Sequence, residues 1–178
     1  RSTRLGLRSV AMNDWVTTIN GERIFLKGTN QGPTDHWLGD CDPETARTDL
    51  ELARAAHLDM IRVHGHIARP EFYEAADELG MLLWQDFPML GGYHRSTRKQ
   101  ATAQARAAVD ALAHHPSIIT WSAHNTPFAA ASTPDTPAPR SFSGAALRQQ
   151  LPTYNKSVLD RAVSRALRRA DGSRPVIE

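Results

Sequence analysis

The stretch HHPSIITWSAHNTP at residues 114–127 decides the fold class of this chain. Its middle, residues 118–121, is a short apolar and β-branched run, which is the composition of a buried strand. Polar and aromatic side chains crowd its carboxyl end: Trp121, His124, Asn125 and Thr126. An apolar strand that ends in chemically active side chains is the unit from which α/β barrels build active sites. An ordinary buried strand followed by a loop has the same composition, so the rest of the chain must decide between the two.

Strand and helix patterns alternate on both sides of this stretch. Apolar runs predict strands at residues 58–63, 81–84, 118–121 and 174–178. Helical periodicity predicts helices at residues 43–55, 70–79, 96–113 and 155–170. Asp42 and Pro43 are typical of a helix start, and Gly80 is typical of a helix end. The alternation indicates βαβ units with a parallel sheet, so the predicted class is α/β.

The beginning of the chain predicts a β-hairpin. Residues 15–19 and 22–28 have two short strand patterns. The dipeptide Asn20-Gly21 between them favours a two-residue hairpin turn. The preceding residues, 1–12, have the composition of a strand end and a connector.

Size and cysteine content limit the possible classes. With 178 residues, 40% of them hydrophobic and 22% charged, the chain can form one domain with a core. It is shorter than the roughly 250 residues that a complete eight-stranded α/β barrel needs. Cys41 is the only cysteine, so the sequence offers no disulfide framework and no cysteine-based metal site.

Charge and hydropathy exclude other partners. The net charge is +2. Four arginines share one predicted helix, and we interpret them as a solvated helix face rather than a nucleic-acid site: Arg161, Arg165, Arg168 and Arg169. No apolar run is long enough for a membrane span, and residues 1–4 lead into no signal-like segment. We therefore expect no nucleic acid and no membrane as partners, and the localisation stays open.

Several segments resemble glycoside hydrolase family 2, which contains β-galactosidases, β-glucuronidases and β-mannosidases. Residues 114–126 are similar to the family segment H-P-S-hydrophobic-hydrophobic-x-W-x-x-x-N-E, and NGERIFLKGTN at 20–30 is similar to the family's approach to its first barrel strand. IRVHG at 61–65 and LWQDF at 83–87 resemble the second and third strands in their mannosidase-like form. The D-x-x-R-P pattern from Asp171 resembles the fifth strand.

The resemblance implies an incomplete barrel. Residues 20–178 would form the N-terminal half of a (β/α)₈ TIM barrel, about four to five strand–helix units. Residues 1–19 would be a connector from a preceding β-sandwich-type domain. A half-barrel would expose unpaired strand edges, which proteins normally cover. We therefore expect the chain to be part of something larger, with the missing barrel half or another chain on these edges.

The resemblance also implies a retaining mechanism and a defect in it. Such enzymes need two carboxyl groups about 5–5.5 Å apart, one as acid/base and one as nucleophile. The family's acid/base is the Glu that follows the Asn of the motif, and here Thr126 follows Asn125. The family's nucleophile comes after the seventh strand, which would lie beyond residue 178. The expectation is a β-glycosidase domain that is inactive by itself and uses no cofactor.

Other positions would bind a β-linked glycoside or oligosaccharide, by the same resemblance. Arg62 would steady the nucleophile, with a structural ion pair as the alternative. Asn125 would bind the sugar 2-hydroxyl and Asp86 another hydroxyl. Trp84 or Trp121 would form an aromatic floor under the sugar ring, with the barrel core as the alternative.

Three further residues complete the predicted substrate site. His64 stands two residues after the strand-end arginine, where the galactosidase and glucuronidase groups have a His three residues after it. Asp35 follows the first barrel strand and would shape the sugar pocket, with a solvated loop as the alternative. His124 belongs to the polar cluster at the end of the fourth barrel strand.

Two alternatives to an active glycosidase stay open. One is a non-catalytic sugar-binding domain or pseudoenzyme, which Thr126 favours. The other is a metal-dependent amidohydrolase-like barrel, because His64-Gly65-His66 is an H-x-H at a strand end that could hold zinc. No matching set of His and Asp follows it, so we expect no metal.

Overall fold

The chain folds into a three-stranded antiparallel sheet and a five-stranded parallel sheet. The structure, a computed structural model, describes residues 6–37, 40–90, 93–124 and 154–177. Strands and helices alternate along the larger sheet, which confirms the predicted α/β class. Within the described ranges, no helix is both long enough and apolar enough to cross a membrane.

The smaller sheet contains the predicted hairpin. Its strands are β1 (Val10–Asn13), β2 (Val16–Ile19) and β3 (Glu22–Ile24). Asn20 and Gly21 have φ angles of 51° and 85°, as a type I′ turn requires. The prediction that the second hairpin strand continues to Gly28 is wrong. The chain leaves this sheet after Ile24 and begins the parallel sheet with β4 (Gly28–Gln31).

The parallel sheet has its strands in chain order, with β4 and β8 as the outer strands. The strands after β4 are β5 (Met60–Val63), β6 (Leu82–Asp86), β7 (Ile118–Ser122) and β8 (Val176–Ile177). Each of these four strands lies at a predicted position, and its ends differ from the predicted ends by at most two residues. Gly28 permits the close pairing of β4 and β5, because a Cβ there would lie 2.8 Å from the Met60 carbonyl oxygen.

The helices also lie where the sequence predicts them. They are α1 (Pro43–Ala55), α2 (Pro70–Leu79), α3 (Thr97–Leu112) and α4 (Arg161–Ala170). Extended Asp42 and Pro43 begin α1, and Gly80 ends α2 with a φ of 70°. The last predicted helix is in two parts, since a π-helical segment, Asn155–Asp160, precedes α4. Segments of this kind are rare and are frequent at functional sites.

The two faces of the parallel sheet have different environments. On one face, Gln31 Nε2 donates to Asp49 Oδ2 of α1 at 2.7 Å, and the Tyr73 hydroxyl of α2 donates to Gln85 Oε1 at 2.7 Å. This face meets the helices and the apolar core. The opposite face carries, side by side in the register, Arg62, Trp84 and Thr120. In a barrel this is the inner face, and the active site lies at the carboxyl ends of its strands.

Candidate functional site

Arg62 and Asp86 form an ion pair on the inner face of β5 and β6. Arg62 Nε lies 3.0 Å from Asp86 Oδ1 and 3.1 Å from Asp86 Oδ2. The Asp86 side chain is fully buried, whereas 22% of the Arg62 side chain is exposed. The Gly65 N–H also donates to Asp86 Oδ2, at 3.2 Å. Of the two interpretations of Arg62, the structure contains the ion pair. Its partner is Asp86, which the sequence analysis predicts to bind a sugar hydroxyl.

Trp84 supports this pair from the neighbouring position. The Arg62 Cζ atom lies 4.9 Å from the centroid of the Trp84 ring, which is a cation–π contact. Trp84 is half-buried, and its Nε1 is buried without a hydrogen-bond partner. The guanidinium is therefore held by a carboxylate and an aromatic ring. The predicted role of Trp84 as a sugar platform stays a prediction.

Trp121 lies on the other face of the sheet. It pairs in register with Gln85, which contacts the helices, and it is only 2% exposed. Its Nε1 donates to Asp171 Oδ2 at 2.9 Å. Of the two interpretations of Trp121, this placement favours the barrel core, because Trp121 directly follows the inner-face residue Thr120 and successive strand residues point to opposite faces. Trp121 is a core residue.

Asp171 is the centre of a polar network behind Trp121. Besides the indole, Asp171 accepts hydrogen bonds from the Ser173 hydroxyl at 2.6 Å and from Arg174 Nη1 at 2.6 Å. Burial alone would raise the pKa of Asp171, but these hydrogen bonds outweigh it and lower the pKa to about 2. Arg174 also donates to the carbonyl of Ile118, which ties the segment before β8 to β7.

His124 is a buried residue directly after β7. Its side chain has no exposed surface, and its Nδ1 lies 2.8 Å from Asp160 Oδ1 in the π-helical segment. Among the described residues, its buried Nε2 has no hydrogen-bond partner. The Tyr93 ring lies 6.0 Å from the His124 ring, and the Tyr93 N–H donates to Asn155 Oδ1 at 3.1 Å. His124 thus connects β7 to the helical segment, and its predicted role in sugar binding stays a prediction.

No local pattern in the sequence identifies Asp160, Asn155 or Tyr93. Asp160 and Asn155 are polar residues in a predicted amphipathic helix, where solvent exposure would be the ordinary expectation. The structure buries both, with 5% and 6% of their surface exposed. The burial of two polar residues at the start of one helix follows from their partners, which are distant in the sequence.

His64 and His66 follow β5 and make different hydrogen bonds. His64 is half-buried at the end of β5, where its N–H donates to the Gln31 carbonyl at 2.9 Å. His66 is buried, with its Nδ1 3.2 Å from the His64 carbonyl oxygen, and burial lowers its pKa. Among the described residues, no group of three or more His, Cys, Asp and Glu could hold a metal ion. The zinc alternative therefore has no ligand set in this part of the chain.

The remaining predicted site residues lie in loops. Asp35 is exposed, and its Oδ1 accepts the Trp37 N–H at 2.9 Å, so this contact is local to the turn. Asn125 and Thr126 lie outside the described residues. The site that the structure describes therefore consists of Arg62, Asp86 and Trp84. What this set can do chemically is bind and orient a ligand, since a planar guanidinium and an aromatic face recognise oxygen atoms and sugar rings.

Known proteins resemble the chain in sequence. It is 39% identical over 116 residues to a β-mannosidase of Rattus norvegicus, and these residues cover 60% of this chain and 13% of that protein. The identity to β-mannosidase B of Emericella nidulans is also 39% over 116 residues, with the same shares of each chain. The chain thus spans about one eighth of the length of these relatives.

Solved structures resemble it in fold. The crystal structure of a β-D-mannosidase from Dictyoglomus thermophilum matches with a TM-score of 0.69 and 25% identity, over 97% of this chain and 22% of that one. A β-glucuronidase from Ruminococcus gnavus matches with a TM-score of 0.75 and 21% identity, over 97% of this chain and 27% of that one. The second likeness concerns the fold alone.

The family model of the glycosyl hydrolases family 2 TIM barrel domain matches residues 10–177. This match covers nearly the whole chain and agrees with the parallel sheet, the alternating helices and the position of the Arg62–Asp86 pair at the carboxyl ends of the strands. The described strands make up part of a barrel, β4 to β8. The chain belongs to glycoside hydrolase family 2, and it forms part of that family's TIM-barrel domain.

Proposed function

We propose that this domain binds β-mannosides or closely related β-glycosides and is impaired in their hydrolysis. The observation that supports binding is the Arg62–Asp86 ion pair with Trp84 beneath the guanidinium. The position that supports impairment is Thr126, where the family motif has its acid/base Glu. The leaning to mannosides rests on the IRVHG and LWQDF segments and on the similarity to proteins that are named β-mannosidases.

The proposed binding role follows from the geometry of the pair. A buried carboxylate that already accepts hydrogen bonds from Arg62 and the Gly65 N–H is fixed in position. Asp86 therefore holds the partly exposed Arg62 side chain in one orientation, and Trp84 limits its movement from the other side. Pre-positioned groups bind a polar ligand with less loss of conformational freedom than flexible ones.

The proposed impairment follows from the chemistry of the hydroxyl. Glycosidic leaving groups depart slowly unless a carboxylic acid protonates the bridging oxygen. A threonine hydroxyl does not donate a proton at neutral pH as a carboxylic acid does. By the family resemblance the nucleophile follows the seventh barrel strand, beyond the part of the barrel that the described residues form, so we propose that the isolated chain binds the glycoside but does not turn it over.

The hydrolysis of p-nitrophenyl β-mannoside by the purified chain tests the impairment. This substrate has a good leaving group and needs little acid assistance, so any turnover would require a nucleophile. We expect a rate no higher than that of the buffer. A clear, saturable turnover that copurifies with the chain would contradict the proposal that the isolated chain binds the glycoside without hydrolysing it.

A further inference from the structure

A basic groove runs between α3 and α4 on the helical surface, away from the Arg62–Asp86 pair. Its volume is about 250 Å³. Each helix supplies two exposed arginines to it: Arg98 and Arg106 from α3, and Arg165 and Arg169 from α4. Thr102 lies between the two arginines of α3. The groove therefore has four positive charges on its walls. We call it the arginine groove.

Among the described residues, these four charges have no acidic partner. In the part of the chain that the structure describes, none of the four arginines forms an ion pair. Asp110, one turn beyond Arg106 on α3, does not pair with it either. Arg165 Nε donates to the carbonyl of Arg161 at 3.0 Å, a contact within α4. Arg165 and Arg169 are four residues apart, a spacing at which like charges destabilise a helix.

We propose that the arginine groove binds an acidic segment of a polypeptide. Guanidinium groups on two facing walls can each donate two parallel hydrogen bonds to a carboxylate in a planar arrangement. The small side chains Ala162 and Ala166 lie between the walls, which leaves room for an extended chain. Binding would neutralise like charges that the free domain holds close together.

Other polyanions fit the groove less well. Single-stranded nucleic acids are bound by basic grooves in which aromatic side chains stack on the bases. Sugar rings are likewise bound through aromatic faces. Among the described residues that line the arginine groove there is no aromatic side chain. The lining therefore favours carboxylates on a polypeptide over a nucleic acid or an acidic glycan.

The binding of a fluorescently labelled hexaglutamate peptide tests the proposal. Anisotropy is measured with the purified chain, with the double variant Arg165→Gln/Arg169→Gln and with the double variant Lys99→Gln/Arg161→Gln. The second variant is a matched control, because it removes two charges from exposed positions of the same helical elements that do not line the groove. Thermal unfolding of all three proteins verifies that each is folded.

We expect saturable binding that the groove variant weakens by about tenfold and the control variant by less than about twofold. Raising the salt concentration should weaken it further. Equal losses in both variants would show attraction to net charge and would overturn the proposal, as would no binding at low salt. Tighter binding of an oligonucleotide or a sulfated oligosaccharide of equal charge would overturn the choice of an acidic polypeptide.

Discussion

The imidazole of His124 lies 2.8 Å from the carboxylate of Asp160, so a buried His–Asp hydrogen bond fixes the carboxyl end of β7. A similar contact fixes the other end of the strand, where His115 Nδ1 lies 2.7 Å from Asp77 Oδ2. β7 is thus attached at one end to α2 and at the other to the π-helical segment. The strand that carries the family motif is held at both ends by a His–Asp contact.

Loss of the Asp160 carboxylate should destabilise the domain. The variant Asp160→Ala leaves both His124 nitrogens buried without a partner, which should cost roughly 2–3 kcal/mol in the free energy of unfolding. Urea unfolding followed by circular dichroism measures this. Asp110→Ala, at an exposed position of α3, is the control and should change the free energy by less than about 0.5 kcal/mol. Equal stabilities of the two variants would show that the His124–Asp160 contact contributes nothing.

The pH dependence of stability should reveal Asp171. Its pKa in the folded protein is about 2, below the ordinary value of 3.8. A carboxyl whose pKa is lowered by folding stabilises the protein at pH values above its unfolded pKa, and this contribution is lost as the pH falls from about 4 to about 2. The contribution should be about 2 kcal/mol.

Asp171→Asn should therefore lower the stability at neutral pH and flatten the stability profile between pH 4 and pH 2. Unfolding free energies of both proteins, measured across this range, decide the matter. If the unfolding free energy of the variant falls between pH 4 and pH 2 as much as that of the original chain, the loss of stability in acid comes from other carboxyl groups and not from Asp171.

Restoring the acid/base residue should have different effects in two contexts. Thr126→Glu in the isolated chain should give no hydrolysis of p-nitrophenyl β-mannoside, because no nucleophile is present. In a protein where this segment is followed by the rest of a family 2 barrel, the same change should raise activity on poor leaving groups by roughly 10²–10⁴-fold. Thr126→Gln is the control, since it has a similar size and no acid. Equal rates for the two variants would argue against Thr126 as the missing proton donor.

Local signals in the sequence predicted most of the fold. Asp42-Pro43 and Gly80 set helix ends because their preferences act within one turn, and Asn20-Gly21 set the hairpin for the same reason. The change of sheet between Ile24 and Gly28 was missed, since an extended backbone looks alike in both sheets. It depends on Gly28 approaching Met60, 32 residues further on.

The sequence predicts which residues form the candidate site, but it does not predict which of them contact each other. Arg62, Trp84 and Asp86 were identified from segments that resemble a family, but the direct pair between Arg62 and Asp86 joins residues 24 positions apart. For Trp121 the sequence leaves both a sugar platform and the barrel core open, because every residue of β7 is buried and burial therefore does not distinguish its two faces. Asp160 had no local signal, since its burial depends on His124.

The binding of methyl β-mannoside to the purified chain tests the central claim most directly. Titration calorimetry is performed with the chain and with the variants Asp86→Ala and Asp110→Ala, all three first verified as folded. The account predicts saturable binding that is retained in Asp110→Ala and lost in Asp86→Ala, because Arg62 then loses the carboxylate that orients it. Absence of binding in the unchanged chain, or equal affinity in Asp86→Ala, would contradict the assignment of a sugar site to the Arg62–Asp86 pair.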